Sequence, residues 1–269
     1  PSETRSLAPT ASSVPTAPSP PPTPTPEPTA TVAPTADGLC LCFDLAGAIG
    51  GIRALGIRGC GVSMPFKEAS IALVDELDSS VKAIASLNTI VNTAGHLKAY
   101  NTDYIAIAQL LKKHAVPTDS TFALRGSGGM AKAVASALRD GGYANGVIVA
   151  RNEAAGRALA QSLGYQWQAQ LGDLRPQMLI NVTPIGMTGG AEADQLAFEA
   201  DAVDQAQTVF DVVAIPAETP LIVRARAQGK RVITGLEVIA IQALEQFVLY
   251  TGVRPTQEQF ENAVAFARG

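Results

Sequence analysis

The residues in this chain whose types and spacing point most directly to chemistry are Gly126-Ser127-Gly128-Gly129-Met130-Ala131, followed by Arg151-Asn152. Gly126 allows a tight turn, Gly128 lets the backbone approach a pyrophosphate, and the small Ala131 allows close helix-to-strand packing. A helix N-terminus after such a turn presents free N–H groups to an anion. About twenty residues further on, an NAD site places an acid on the ribose hydroxyls. Arginine in that place suits a 2′-phosphate instead, because a planar guanidinium grips phosphate through paired hydrogen bonds. The cofactor expected is NADP. A plain glycine corner and a solvated strand-end arginine are the competing explanations of the two features.

Such a turn needs a strand before it and a helix after it. Thr121 to Arg125 reads as a short buried strand, and Met130 to Leu138 puts Ala131, Val134, Ala135 and Leu138 on one helical face. Gly146 to Ala150 reads as the next strand, with Arg151 at its end. Strand, turn, helix and strand in this order predict an α/β fold with a Rossmann-type cofactor domain.

A second set of polar residues lies upstream. Gly59 to Met64 reads as a strand arriving at Pro65-Phe66-Lys67, and Lys67 to Leu77 has helical spacing. Asn88 to Asn92 and Leu97 to Tyr100 read as hairpin strands, leading into Asn101-Thr102-Asp103 at a helix start. Taken locally, Lys67 reads as a solvated first-turn lysine and Thr102 or Asp103 as a helix cap.

Composition bounds the rest. With 269 residues, 47% hydrophobic and 16% charged, the chain has room for a sizeable core and two domains. A net charge of -4 gives no basis for a nucleic-acid or anionic-membrane partner, and no apolar run approaches membrane-spanning length. Cys40, Cys42 and Cys60 are odd in number and lack accompanying ligands, so free cytoplasmic thiols and no metal are expected. His96 and His114 read as surface residues. Of the 18 prolines, 11 fall within residues 1–36. Residues 1–38 read as a Pro-rich disordered tail or a misread segment, without the pattern of a secretory signal.

Ser63-Met64-Pro65-Phe66-Lys67-Glu68, Leu87-Asn88-Thr89-Ile90 and Asn101-Thr102-Asp103 closely resemble the ordered motifs of shikimate dehydrogenases. So do Gly126 to Ala131, Asn181 to Met187, Phe210 to Val213 and Gly235 to Gln242, and the resemblance runs from about Gly51 to the C-terminus. The wording is most similar to the divergent shikimate dehydrogenase-like branch. The resemblance implies a Rossmann-type NADP-binding domain (106–235) plus a smaller α/β substrate domain, made of residues 39–105 and helices returning from 236–269. It implies a cytoplasmic oxidoreductase of aromatic amino acid biosynthesis whose substrate is a small polyhydroxylated cyclic carboxylate. Lys67 and Asp103 become the catalytic pair, while Ser63, Asn88 and Gln242 contact the substrate. Arg151, Asn152, Thr183 and Gly235 join the glycine turn at the cofactor.

Three departures accompany the resemblance. The family's early segment, with two carboxylate-binding serines, has no counterpart before Gly51, which predicts an exposed sheet edge and poor stability. Ala214 stands where a tyrosine is common, and the bulky Tyr104 where glycine is common, so a reshaped pocket is expected. The alternatives are a quinate-type substrate preference and an NADP-binding protein with little catalysis. An adaptor working through the Pro-rich segment ranks last.

Overall fold

The computed structural model describes residues 44–63 and 65–267. The expectations placed on residues 1–38, Cys40, Cys42 and Met64 lie outside the described residues.

The described chain opens with helix α1 (Leu45–Ala54), where the sequence offered no clear helix. Its three glycines disfavour a helix, but Ile49 and Ile52 are buried against Val81, Leu87, Ile90 and Leu97. Tertiary burial supplies what local propensity lacks. Strands β1 (Gly59–Gly61) and β2 (Glu76–Leu77) follow, then a short α2 (Ser79–Lys82) and the hairpin β3 (Thr89–Thr93) and β4 (His96–Tyr100). They form one sheet in the order β1-β3-β4-β2. Ala94 and Gly95 turn the hairpin with φ of 51° and 90°, the left-handed backbone that a two-residue turn matched to strand twist requires. Among the described residues β1 is an edge strand, and Leu55 and Ile57 beside it are 77% and 44% exposed.

The helix expected over Lys67 to Leu77 does not form. Only a 3-10 turn, Ala69–Leu73, precedes β2. The Asp75 N–H donates to the Leu97 carbonyl at 2.9 Å, and the Asp78 N–H donates to the Ala99 carbonyl at 2.9 Å. The Leu97 N–H donates in turn to Asp75 Oδ2 at 2.7 Å. Pairing with β4 thus takes the backbone groups that a helix would have used.

Helix α3 (Thr102–Lys113) leads to the larger sheet. Its elements are β5 (Phe122–Arg125), α4 (Gly129–Asp140), β6 (Gly146–Val149), α5 (Glu153–Leu163), β7 (Gln166–Gln168) and β8 (Met178–Asn181). Then come α6 (Ala200–Gln205), β9 (Thr208–Asp211), α7 (Pro220–Ala227) and β10 (Arg231–Thr234). All strands pair in parallel in the order β10-β9-β8-β5-β6-β7. Counted from β5 this is the doubly wound order of dinucleotide-binding sheets, with the topological switch between β5 and β8. Alternate residues bury on opposite faces: Phe122, Leu124, Ile148 and Ile180 face α4 and α5, whereas Ala123, Val147, Val149 and Leu179 face α6 and α7.

Two helices close the chain, α8 (Gly235–Thr251) and α9 (Gln257–Ala267). A capping box starts α8, Thr234 and Glu237 satisfying each other's backbone N–H groups. His114, expected at the surface, instead packs half-buried with Nε2 2.9 Å from Glu237, tying the end of α3 to that cap. His96 is exposed, 3.3 Å from Glu76. Further along α8, Gln246 Nε2 donates to Thr89 Oγ1 at 3.1 Å and the Tyr250 carbonyl accepts from Arg58 Nε at 2.9 Å, so the helix returns to the smaller sheet.

Gly235 sits where β10 becomes α8, and a Cβ there would meet the Val212 and Val213 carbonyl oxygens at 2.4 Å. Gly235→Ala should therefore lower unfolding stability by about 1–3 kcal/mol, read from urea midpoints at constant m-value. An unchanged midpoint would show that the β9 loop yields freely.

Candidate active site

The upstream polar residues converge although the sequence separates them. Asn101 is the N-cap of α3: its Oδ1 accepts from the Tyr104 N–H at 2.9 Å, and its Nδ2 donates to the Ser86 carbonyl at 2.8 Å. This seats Asp103 in the first helical turn, 4% exposed, where the positive end of the helix favours a carboxylate. Lys67 Nζ reaches Asp103 Oδ2 at 2.9 Å. The Lys67 carbonyl accepts from the Leu87 N–H at 3.0 Å, which fixes the lysine turn beside Asn88.

Asn88 is 2% exposed. Its Oδ1 accepts from Thr102 N at 2.8 Å, Thr102 Oγ1 at 3.1 Å and Thr89 Oγ1 at 2.9 Å. Its Nδ2 is buried with no partner among the described residues. A saturated oxygen orients the amide so that its free N–H groups remain for another acceptor, and leaving such a donor unmet is costly. Gln242 is half-buried on α8, four residues before Gln246, and so shares its helical face toward the hairpin. Ser63 is exposed, and its carbonyl accepts from the Phe66 N–H at 3.0 Å. Tyr104 turns away from this cluster: its hydroxyl donates to Asp140 at the far end of α4 at 2.7 Å, and burial raises its pKa to about 12. The pocket reshaping expected of its ring is not what the structure displays.

The cofactor-type residues lie along the carboxyl ends of the larger sheet. Gly126 has φ of 130°, and a Cβ on it would strike Val182 at 2.7 Å, so glycine is required twice over. Gly128 is the N-cap of α4, and a Cβ on Gly128 or Gly129 would meet nothing within 4 Å, leaving the α4 N-terminus open to an anion. Ala131 is fully buried, Ser127 and Met130 partly. Arg151 is exposed, its Nη1 3.5 Å from Glu192. Asn152 accepts from the Ala155 N–H at 3.0 Å, and so caps α5. These residues fit a dinucleotide: open N–H groups for pyrophosphate and an exposed guanidinium for a further phosphate.

Thr183 belongs to a buried network. Its N–H and hydroxyl both donate to Asn181 Oδ1, at 3.0 and 2.6 Å, while Asn181 Nδ2 donates to Asp211 Oδ1 at 3.0 Å. Asp211 also accepts from the Val213 N–H at 3.0 Å and from Thr219 Oγ1 at 2.7 Å. The β8 and β9 loops, with Thr183 and Ala214, are thus pinned through one carboxylate. Burial pushes that carboxyl up to about 6, against the three donors.

Between the two sets runs one ion pair, Lys132 Nζ to Glu68 Oε1 at 2.6 Å. Glu68 adjoins Lys67, and Lys132 lies in the first turn of α4 after the glycine turn. Reading residues singly missed this pair, and missed Arg125 too. The signal for Arg125 was a charge ending the otherwise apolar run Phe122-Ala123-Leu124.

Fold and site together define a two-part α/β protein: a Rossmann-type part built on the six-stranded parallel sheet and a smaller α/β part built on the four-stranded sheet. A family profile described as "Shikimate dehydrogenase substrate binding domain" matches residues 43–90. The chain is 50% identical over 225 residues to a shikimate dehydrogenase-like protein of Haemophilus influenzae, across 84% of this chain and 83% of the relative. The structure of a shikimate 5-dehydrogenase-like protein superposes with a TM-score of 0.82 at 50% identity, covering 84% of each chain. A shikimate 5-dehydrogenase of Thermus thermophilus, solved with NADP(H) and shikimate, superposes with a TM-score of 0.73 at 28% identity, covering 83% of this chain and 84% of that one. The chain belongs to the shikimate dehydrogenase family.

Asp211 gives a pH signature. A carboxyl raised from 3.8 to about 6 favours the folded state while protonated, and that contribution is lost as pH rises through the folded value. The unfolding free energy of the parent minus that of Asp211→Asn should fall by about 2 kcal/mol between about pH 4 and pH 7. Urea unfolding of both proteins across this range measures it, and a flat difference would refute the burial argument.

Proposed function

We infer that the chain is an NADP-dependent oxidoreductase interconverting 3-dehydroshikimate and shikimate, a step toward chorismate and the aromatic amino acids. The observation that carries this reading is the Lys67–Asp103 pair at 2.9 Å beside the Asn88 Nδ2, which has no partner among the described residues. Residues 106–235 form the cofactor domain in this reading, and residues 39–105 with 236–269 the substrate domain.

NADPH, when bound, supplies the hydride to the substrate carbonyl carbon. As charge develops on the carbonyl oxygen, the Lys67 ammonium gives it a proton, and in the oxidising direction the neutral amine takes the proton back. Asp103 holds the Lys67 nitrogen in place, and the two close groups exchange protons with solvent as a unit. Asn88 donates to a ring hydroxyl through Nδ2. Gln242 and Ser63 offer further polar contacts to the ring acid. Thr183 flanks the nicotinamide, Gly126 to Ala131 cradle the pyrophosphate, Gly235 lets α8 approach closely, and Arg151 with Asn152 faces the adenosine 2′-phosphate.

Ala214 favours a second reading of the substrate. It brings a methyl where the family commonly has a hydroxyl, so a related ring acid such as quinate is the second candidate substrate.

Steady-state reduction of NADP and NAD with shikimate and with quinate tests the reaction. Binding of NADP without turnover on either acid would leave a cofactor-binding protein and sink the dehydrogenase reading. Lys67→Ala should lower kcat by roughly 10²–10⁴-fold with NADP affinity nearly unchanged. Equal turnover would remove Lys67 from the mechanism. Arg151→Ala should weaken NADP by roughly tenfold or more while NAD stays within about twofold. A uniform loss would show that Arg151 does not read the phosphate.

A further inference from the structure

Arg125 ends β5 immediately before Gly126 and pairs with Val149 in the β5–β6 ladder, two residues before Arg151 on the neighbouring strand. Its side chain lies on the face of the sheet toward Phe198, with the guanidinium 4.9 Å from that ring's centroid. Its Nε is buried and finds no hydrogen-bond partner among the described residues. The nearest carboxylate, Glu199, stands 3.8 Å from Nη2, beyond hydrogen-bond length. Burial lowers the guanidinium's pKa; the charges of Glu199 and Glu192 oppose that, and the charge of Arg151 lowers it further, so the two arginines lie within each other's field.

A half-buried guanidinium with an orphan donor, repelled by a second guanidinium, is unfavourable on its own terms. A dianion shared by the two removes both penalties. Phosphate also suits the fork of donors that each guanidinium presents. Both side chains sit at the carboxyl ends of adjacent strands, flanking the glycine turn, where ligands of such sheets bind.

We propose that Arg125 joins Arg151 in gripping the ribose 2′-phosphate of the cofactor, forming a two-arginine phosphate site across β5 and β6. The proposal rests on the NADP reading above and extends it to a residue inside the strand. Glu192, 3.5 Å from Arg151, and Glu199 compete with the phosphate at these longer separations, and the phosphate oxygens make the closer contacts.

Calorimetric binding of 2′,5′-ADP and of ADP to the full chain and to Arg125→Gln provides the test, with no turnover required. Arg125→Gln should weaken 2′,5′-ADP roughly tenfold or more and leave ADP within about twofold. An unchanged ratio, or equal loss for both nucleotides, would overturn the proposal and leave Arg125 as packing under Phe198. Arg151→Ala measured alongside separates the two claims. If it shifts the ratio and Arg125→Gln does not, only the present inference fails; if neither shifts it, the NADP reading itself fails. Arg125→Lys, which keeps the charge and the stem but lacks the guanidinium fork, serves if the Gln variant does not fold. It should still lose several-fold in the same ratio, and full retention would count against the proposal.

Discussion

A carboxylate taken out of water must be compensated, and the placement of Asp103 organises much of the smaller half of this molecule. The first turn of α3 provides one part of the compensation and the Lys67 ammonium at 2.9 Å the other. For the helix to start at the right place, Asn101 must cap it, and for the lysine to reach, its turn must be tied to the start of β3. Both conditions run through Asn88, whose Oδ1 accepts from the Thr102 backbone while its own chain neighbour Leu87 bonds to Lys67. The same wiring that holds the charge pair leaves one amide nitrogen without a partner among the described residues. In this arrangement the two ends of one side chain differ: the oxygen is saturated by the fold, and the nitrogen is not.

The larger half solves a different problem. A parallel sheet buries both faces, so its polar loops collect at the carboxyl ends, and the switch between β5 and β8 opens a crevice there. Glycine at 126 and 235 lets backbones come closer than any side chain permits. Asp211 then fixes the β8 and β9 loops from below by accepting from Asn181, Val213 and Thr219. The Glu68–Lys132 pair brings the lysine turn against the start of α4, and α8 returns from β10 to the hairpin through Gln246 and Thr89.

Local patterns were legible where they had a local cause. The β5-turn-α4 unit follows from a strand-length apolar run, glycines and a helical stripe, and Ala131, Val134, Ala135 and Leu138 are all buried. The hairpin likewise follows from two short strand-like runs, Asn88 to Asn92 and Leu97 to Tyr100, on either side of Ala94-Gly95. Where tertiary pairing competed with local preference, the local reading failed. Residues 67–77 have helical spacing, yet β4 claims the backbone of Asp75 to Asp78. Residues 45–54 are glycine-rich, yet the core around Ile90 makes them a helix.

The sequence by itself determined the kind of protein: motif order carried the family, and the glycine turn with Arg151 carried the expectation of a phosphorylated dinucleotide. These are properties of residue identity and short spacing, which a linear chain records directly. Only the tertiary structure decided which side chains meet. That Lys67 reaches across 36 residues to Asp103, that His114 braces Glu237, that Tyr104 leaves the site for Asp140, and that Arg125 is held with an unmet donor all depend on strand register and helix docking. Those are set by burial summed over the whole core, a quantity that no local stretch of sequence contains.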